Sequence, residues 1–217
     1  MSTLDYIAKK YNLDLSQREM PISILNTNRY IMADTLNELG FKVGAEIGVA
    51  QGSHSKILCQ RIPNLRLFCV DIWDLYEGYN EYTDRINRYY EAAKVTLAPW
   101  HTVFVKKFSM DAVKDFEDGS LDFVYIDGAH DFMHVAEDLC EWSKKVRVGG
   151  IVYGHDYKLR NDSTKNIIHV KHALQAYVYT HAIKPWFVLG MPGNHADKKF
   201  CEGCQSWMFV RQETDRL

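Results

Sequence analysis

Apolar positions along this chain recur in two rhythms, one near 3.6 residues and one of short continuous runs, and the two take turns. From Asn28 to Leu39, Ile31, Met32, Thr35, Leu36 and Leu39 fall at helical spacing, and Gly40 supplies a stop. A short apolar strand from Val43 breaks at Gly44, Gly48 and Gly52, and a helix opens at Ser53. Leu65–Val70 is the next strand. An aromatic-rich stretch follows, with Tyr82, Ile86, Tyr89 and Ala93 on one helical face. Thr102–Lys107 is a third strand, and Phe108-Ser109-Met110 opens a short helix through Phe116. Leu121–Ile126 is apolar enough to be a central fourth strand. Asp131 caps a helix that turns Val135, Leu139, Trp142 and Val146 inward, Gly149-Gly150 stops it, and Ile151–Tyr153 is a fifth strand. A helix from about Ser163 to Thr180, with Ile167, Val170, Leu174 and Tyr177 inward, leads to strands at Trp186–Leu189 and Ser206–Arg211.

Five strands alternating with helices predict a parallel sheet with right-handed crossovers. The last two strands are joined by a loop with no room for a crossover helix, so they should pair antiparallel. The expected fold is therefore α/β: a Rossmann-like, seven-stranded sheet, mostly parallel with an antiparallel last strand, and helices on both faces. Residues 1–40 read as an N-terminal helical arm covering the sheet edge or the pocket, and residues 41–217 as one domain.

The stretch from Val43 to Asp71 carries the first chemistry. Strand, glycine turn, helix, strand and terminal acid make a nucleotide-binding βαβ unit. Gly48 and Gly52 let the backbone turn tightly beside a ligand, and the helix N-terminus at Ser53 offers N–H groups to an anion. Asp71 follows about 20 residues later, where an acid accepts the hydroxyls of a ribose. The turn reads Glu46-x-Gly48-x-x-x-Gly52 rather than the G-x-G-x-x-G of dinucleotide sites, which weakens an NAD(P)-dependent oxidoreductase without removing it.

Composition narrows the class only slightly. A hydrophobic fraction of 47% and a charged fraction of 25% over 217 residues suit an ordinary soluble domain. A net charge of −2 gives no general affinity for nucleic acid or anionic membrane. No apolar run approaches the length that spans a bilayer, and MSTLDYIAKKYNLDL lacks the apolar core of a secretory signal. Five cysteines, three of them in apolar patterns, point to reduced thiols in a cytoplasmic protein. Oligomeric state stays open, a homo-oligomer included.

With these residues in view, the glycine turn resembles motif I of the class I S-adenosylmethionine-dependent methyltransferases. The segment VYIDGAHDFMHVAEDLCEWSKKVRVGGIVYGHDY is similar to the IDG-x-H…GHDY signature of a small-molecule O-methyltransferase family, related to macrolide-sugar and catechol-type enzymes. The resemblance covers residues 41–157 well, the last strands loosely and the arm not at all. It implies S-adenosylmethionine as cofactor and a small-molecule hydroxyl as acceptor. Glu46 would then hold the methionyl ammonium, Gly48, Gly52 and Ser53 the close approach, Asp71 the ribose, and Ser109 and Met110 the adenine edge. Trp73 and Tyr76 would meet adenine or acceptor. It further implies a divalent metal, Mg²⁺ or Mn²⁺, on Asp127, His155 and Asp156, with Asp127 also beside the cofactor. An imidazole at 155 departs from the oxygen ligands that Mg²⁺ prefers. His155 is accordingly either a ligand for a softer ion or a general base, and His130 is a second base candidate. A non-catalytic cofactor-binding module is the alternative from another class. Separately, His195 and Cys201-x-x-Cys204, with Asp197 or His181, could bind Zn²⁺, although a polar loop with free thiols is the favoured reading because no clear fourth ligand is near.

Overall fold

One sheet runs through the whole computed structural model, which describes residues 1–76, 85–160, 167–192, 200 and 203–217. In chain order the elements are α1 (Thr3–Tyr11), β1 (Ile22–Ile24), α2 (Arg29–Glu38), β2 (Val43–Ile47), α3 (Ser53–Arg61) and β3 (Arg66–Asp71). They continue with α4 (Ile86–Leu97), β4 (Thr102–Lys106), α5 (Ser109–Ala112), β5 (Leu121–Ile126) and α6 (Phe132–Lys145). The last are β6 (Val146–Gly154), α7 (Val170–Thr180), β7 (Trp186–Leu189) and β8 (Ser206–Val210). The strand order is β1-β7-β8-β6-β5-β2-β3-β4. Strands β2 to β6 are mutually parallel where they pair, and β8 lies antiparallel between β6 and β7. The α/β class, the parallel core and the antiparallel end thus agree with the sequence reading.

Alternation along the strands sorts the core into two layers. Phe123, Tyr125 and Tyr153 face Ile7, Met32, Leu36 and Leu58, on the side of the first helices. Val124, Ile126 and Val152 face Leu139, Trp142 and Leu174, on the side of α6 and α7. Each fully buried side chain of this size contributes roughly 1.5–3 kcal/mol, so neither layer is dispensable. Gly44 belongs to the first layer because a Cβ there would come within 2.2 Å of the Phe123 ring.

Local chemistry explains where the helices begin. Asn28 Oδ1 accepts hydrogen bonds from the N–H groups of Tyr30 (3.0 Å) and Ile31 (2.9 Å), which opens α2. Asp131 does the same for Met133 and His134 at α6. Such a cap is worth about 1 kcal/mol.

Three elements differ from the sequence reading. The sheet has an eighth strand, β1, which pairs in parallel with β7 at the edge and is too short to leave a pattern. Gly149-Gly150 is no turn: α6 passes directly into β6, and the glycines lie within that strand, where a Cβ on Gly150 would meet Asp122 O at 2.5 Å. Helix α7 starts only at Val170, and Ile167, expected inward on it, is 43% exposed beside the Arg160–Ile168 bridge. Tyr79, Tyr82 and the region from Ser163 to residue 166 lie outside the described residues. Among the described residues, no helix is long and apolar enough to cross a membrane.

Candidate functional site

The carboxyl ends of β2, β3, β5 and β6 open into one cavity of about 950 Å³. All the residues expected from sequence to hold the cofactor, acceptor or divalent metal line it, apart from Gly52 and Trp73.

The glycine turn forms its floor. Gly48 has φ +86°, and a Cβ there would lie 2.2 Å from the carbonyl oxygen of Asp127, so only glycine lets the β2 and β5 ends approach. Ala50, with φ +50°, takes a left-handed conformation costly for a residue with a side chain. Asp71 holds it there. Its Oδ2 accepts from Val49 N and Ala50 N, both at 2.9 Å, and its Oδ1 accepts from Trp73 N at 2.9 Å. Burial raises the Asp71 carboxyl above its ordinary range, and these N–H donors oppose that shift. Trp73 corrects an expectation. It is fully buried, donates its indole N–H to Ala50 O at 2.7 Å, and packs on Tyr90 and Phe104. A side chain held inside the core braces the turn and has no face left for adenine or acceptor. Tyr76 does line the cavity, edge-on to Phe108.

Ser109 and Met110, opening α5, make one wall. The Ser109 hydroxyl donates to Asp138 and accepts from Trp142 Nε1 at 2.7 Å. Burial pushes the Asp138 carboxyl up to about 7, the Ser109 hydrogen bond pulling the other way.

Glu46 lies deeper and is 2% exposed. Its Oε2 accepts from Ser55 Oγ at 2.6 Å and faces His54 Nδ1 at 3.5 Å. The His54 ring rests on Tyr125, centroids 4.0 Å apart.

A charged cluster lines the same cavity. Asp127 Oδ2 accepts from Arg29 Nη1 at 3.0 Å and from Tyr125 OH at 2.9 Å. Arg29 Nη1 also donates to Tyr125 OH, and Nη2 to Tyr30 OH, both at 3.1 Å. His130 Nε2 sits 2.9 Å from Asp156 Oδ2 and 3.5 Å from Asp127 Oδ1. Burial disfavours charge on both acids, yet both titrate below their ordinary range, held down mainly by His130 and His155. Arg29 is pushed the other way: burial opposes its charge, but Tyr125 and Asp127 outweigh that and raise it. Asp156 has φ +52°, a second left-handed non-glycine residue at the site.

The imidazole that reaches both acids is therefore that of His130, not His155. Ligating atoms of Asp127, His130 and Asp156 lie within 4.8 Å of one another, and the three residues form a group that could hold a metal ion. His155, expected as a ligand, is not in that group. Its Nδ1 is 3.5 Å from Asp156 Oδ2, and its buried Nε2 has no partner. Cys204 lies beside Asp156, which together with burial raises its thiol to about 11. His195, Asp197 and Cys201 lie outside the described residues. His181, the other zinc candidate, bonds to the carbonyl of Arg216.

Sequence reasoning missed Arg29, His54 and Asp138. Each sits on a helix, where a single polar residue pointing inward is indistinguishable by pattern from one pointing out. The signals present were small: a capping Asn28 just before Arg29, and a histidine at the second position of the helix after the glycine turn.

Residues 45–157 match the profile of a family described as "Methyltransferase domain". An uncharacterized protein, y4gI, from Sinorhizobium fredii is 26% identical over 182 residues, and the match spans 79% of this chain but only 19% of that protein's length. Among solved structures, cofactor-bound Rv0187 from MTB superposes with a TM-score of 0.63 at 15% identity, covering 97% of this chain and 90% of the other. An O-methyltransferase from Bacillus cereus in complex with SAH gives 0.59 at 13% identity, over 96% and 90%. TomG from Streptomyces achromogenes, an O-methyltransferase in complex with SAM, gives 0.58 at 14%, over 96% and 89%. At such identities the likeness is one of fold.

Proposed function

Because the chain belongs to the methyltransferase-domain family, whose profile its residues 45–157 match, we propose that it transfers a methyl group from S-adenosylmethionine to a hydroxyl of a small-molecule acceptor. One observation carries this reading. A single cavity is lined by the glycine turn, Glu46 and Asp71 and also by Asp127, His130, His155 and Asp156. A cofactor on the first set would present its sulfonium to an acceptor on the second. In this reading residues 41–217 form the transferring domain, and residues 1–40 form an arm that contributes Arg29. The free, buried Cys59 and Cys69 accord with a reducing, cytoplasmic setting.

Binding divides among the chain's own residues. Glu46 receives the methionyl ammonium, the Ser109–Met110 wall the adenine, and Asp71 the ribose. In the transfer an acceptor oxygen forms a bond to the methyl carbon as the S–CH₃ bond breaks, and S-adenosylhomocysteine leaves as a neutral thioether. His155, which lines the cavity and whose buried Nε2 has no hydrogen-bond partner, would take the hydroxyl proton. In-line positioning supplies most of the rate.

The donor set of Asp127, His130 and Asp156 fits a divalent cation. Two carboxylates and one imidazole suit Mn²⁺ better than Mg²⁺, which prefers an all-oxygen shell. Asp127 would offer Oδ1, since Arg29 and Tyr125 already occupy Oδ2. Such a cation supplies Lewis acidity that lowers the pKa of an acceptor hydroxyl.

The test is calorimetry with S-adenosylhomocysteine and NAD⁺, followed by an assay for S-adenosylhomocysteine release across catechol, sugar and other hydroxyl acceptors. Binding of the S-adenosyl ligand with turnover on at least one acceptor is expected. Failure to bind it, or binding of NAD⁺ in its place, overturns the reading.

A further inference from the structure

Four apolar side chains stand uncovered around the acidic cluster. Phe132, Met133, Leu159 and Ile167 are all exposed, and Ile167 also lines the cavity. Backbone hydrogen bonds bring them to one place. His169 N donates to His130 O at 2.8 Å, and Arg160 and Ile168 exchange N–H···O bonds of 2.8 and 3.0 Å. The segment carrying Ile167 is thereby held between the one carrying Leu159 and His130, the histidine that faces Asp127 and Asp156. Phe132 and Met133 follow His130 at the start of α6. The acid beside them is already engaged: Asp131 accepts from the N–H groups of Met133 and His134 with one oxygen and pairs with the His134 ring through the other. Single exposed apolar residues are ordinary on any protein, but a group of them bordering a polar cavity marks a surface that meets an apolar ligand.

The contrast between the cluster and its rim says what kind of acceptor fits. The cluster offers carboxylates and imidazole to a hydroxyl, whereas the rim offers carbon. A free sugar would set several hydroxyls against that carbon, and each one desolvated without a partner is costly. We propose that the acceptor bears its hydroxyl on an apolar body, as an alkyl-substituted phenol does, and that Ile167, Leu159, Phe132 and Met133 cover that body while the hydroxyl reaches the acids. The assignment rests on the S-adenosylmethionine reading and narrows it, since it selects the acceptor class and leaves the cofactor untouched.

Calorimetry with alkylcatechols of growing chain length, from methyl to pentyl, on the complex with S-adenosylhomocysteine tests this. Wild type should bind about 2- to 4-fold more tightly per added methylene, the gain expected for partial to full burial of a CH₂. Ile167→Ser and Met133→Ser should each lower that increment, and the double variant should nearly abolish it. Affinity for S-adenosylhomocysteine should stay the same in all three, which shows that they are folded. Val95→Ser, at an exposed apolar position on α4 far from the rim in sequence, should keep the full increment. No increment in wild type, an increment that the rim variants leave intact, or tighter binding of a free hexose than of any alkylcatechol overturns the assignment and leaves the cofactor reading standing. So does self-association, or binding to phosphatidylcholine vesicles, that is lost in the double variant, because the rim then serves a second copy or a lipid surface. Wild type that fails to bind S-adenosylhomocysteine overturns both.

Discussion

Replacing Arg29 with methionine tests how the acidic cluster is held together in the absence of ligands. Methionine keeps much of the apolar stem and removes the charge with its three hydrogen bonds to Tyr125, Asp127 and Tyr30. At 3.0 Å and an effective dielectric constant of about 20, the Arg29–Asp127 attraction alone is ~5 kcal/mol. Part of that returns, because a largely buried guanidinium no longer has to be stripped of water. Removing one partner of a buried pair usually costs about 3–5 kcal/mol. Here both side chains keep some solvent contact, at 20% and 18% exposure, and His130 also faces Asp127. The expected loss is therefore about 2–3 kcal/mol. In urea at pH 7.5 this should move the midpoint down by about 1 M at unchanged slope. A second substitution, Asp127→Asn, should restore most of the stability in the Arg29→Met background, because the uncompensated charge is then gone. A loss below about 0.5 kcal/mol, or no recovery in the double variant, would show that Arg29 does not hold Asp127 and refute the reasoning.

Three further outcomes are expected. Asp71→Ala should weaken S-adenosylhomocysteine by at least about tenfold, through the lost ribose contacts and the released Val49–Ala50 turn; unchanged affinity by calorimetry removes Asp71 from the ribose site. Chelation should abolish turnover while leaving cofactor affinity nearly intact, and Asp156→Asn should lower the apparent affinity for Mn²⁺; full activity in excess chelator sinks the metal role and leaves the histidines as the only base. Asp138 gives a pH signature of known sign. Its folded pKa of about 7 lies above the unfolded value, so folding favours the protonated form. Stability should therefore fall as pH rises from about 4 to about 7, by up to ~4 kcal/mol, and level off beyond. Asp138→Asn, which cannot ionise, should flatten that slope and be the more stable protein at pH 8, and a slope that persists in thermal unfolding would contradict the burial argument.

The parts of this molecule legible in its sequence are those whose chemistry is local. The glycine turn, Ser53 and Asp71 stand in one short stretch, and their spacing alone requires a tight turn against a strand end. The strand sequence Leu121–Ile126 is apolar but for Asp122 because it is covered on both faces, and a single sequence displays that directly. What escaped depends on the third dimension. His130 follows the acid after β5 and His155 precedes the acid after β6, and Asp156, with its left-handed backbone, has its carboxylate 2.9 Å from the former. Trp73 looked like a pocket residue because it follows Asp71, yet its own φ of +43° accompanies a ring buried in the core. Arg29 reaches Asp127 across roughly a hundred residues of sequence, a pairing that no periodicity encodes.

The pairing of β1 with β7 bears on how the chain is made. Ile22 lies beside Phe187, so the earlier strand has to wait for a segment synthesised much later before it has a partner. Non-local contacts of this kind form late and slow the search for the native state. Arg29 begins the helix that follows β1, and its partner Asp127 is synthesised only after β5. Neutralisation of Asp127 by Arg29 is thus a tertiary event that no contiguous stretch of the sequence supplies.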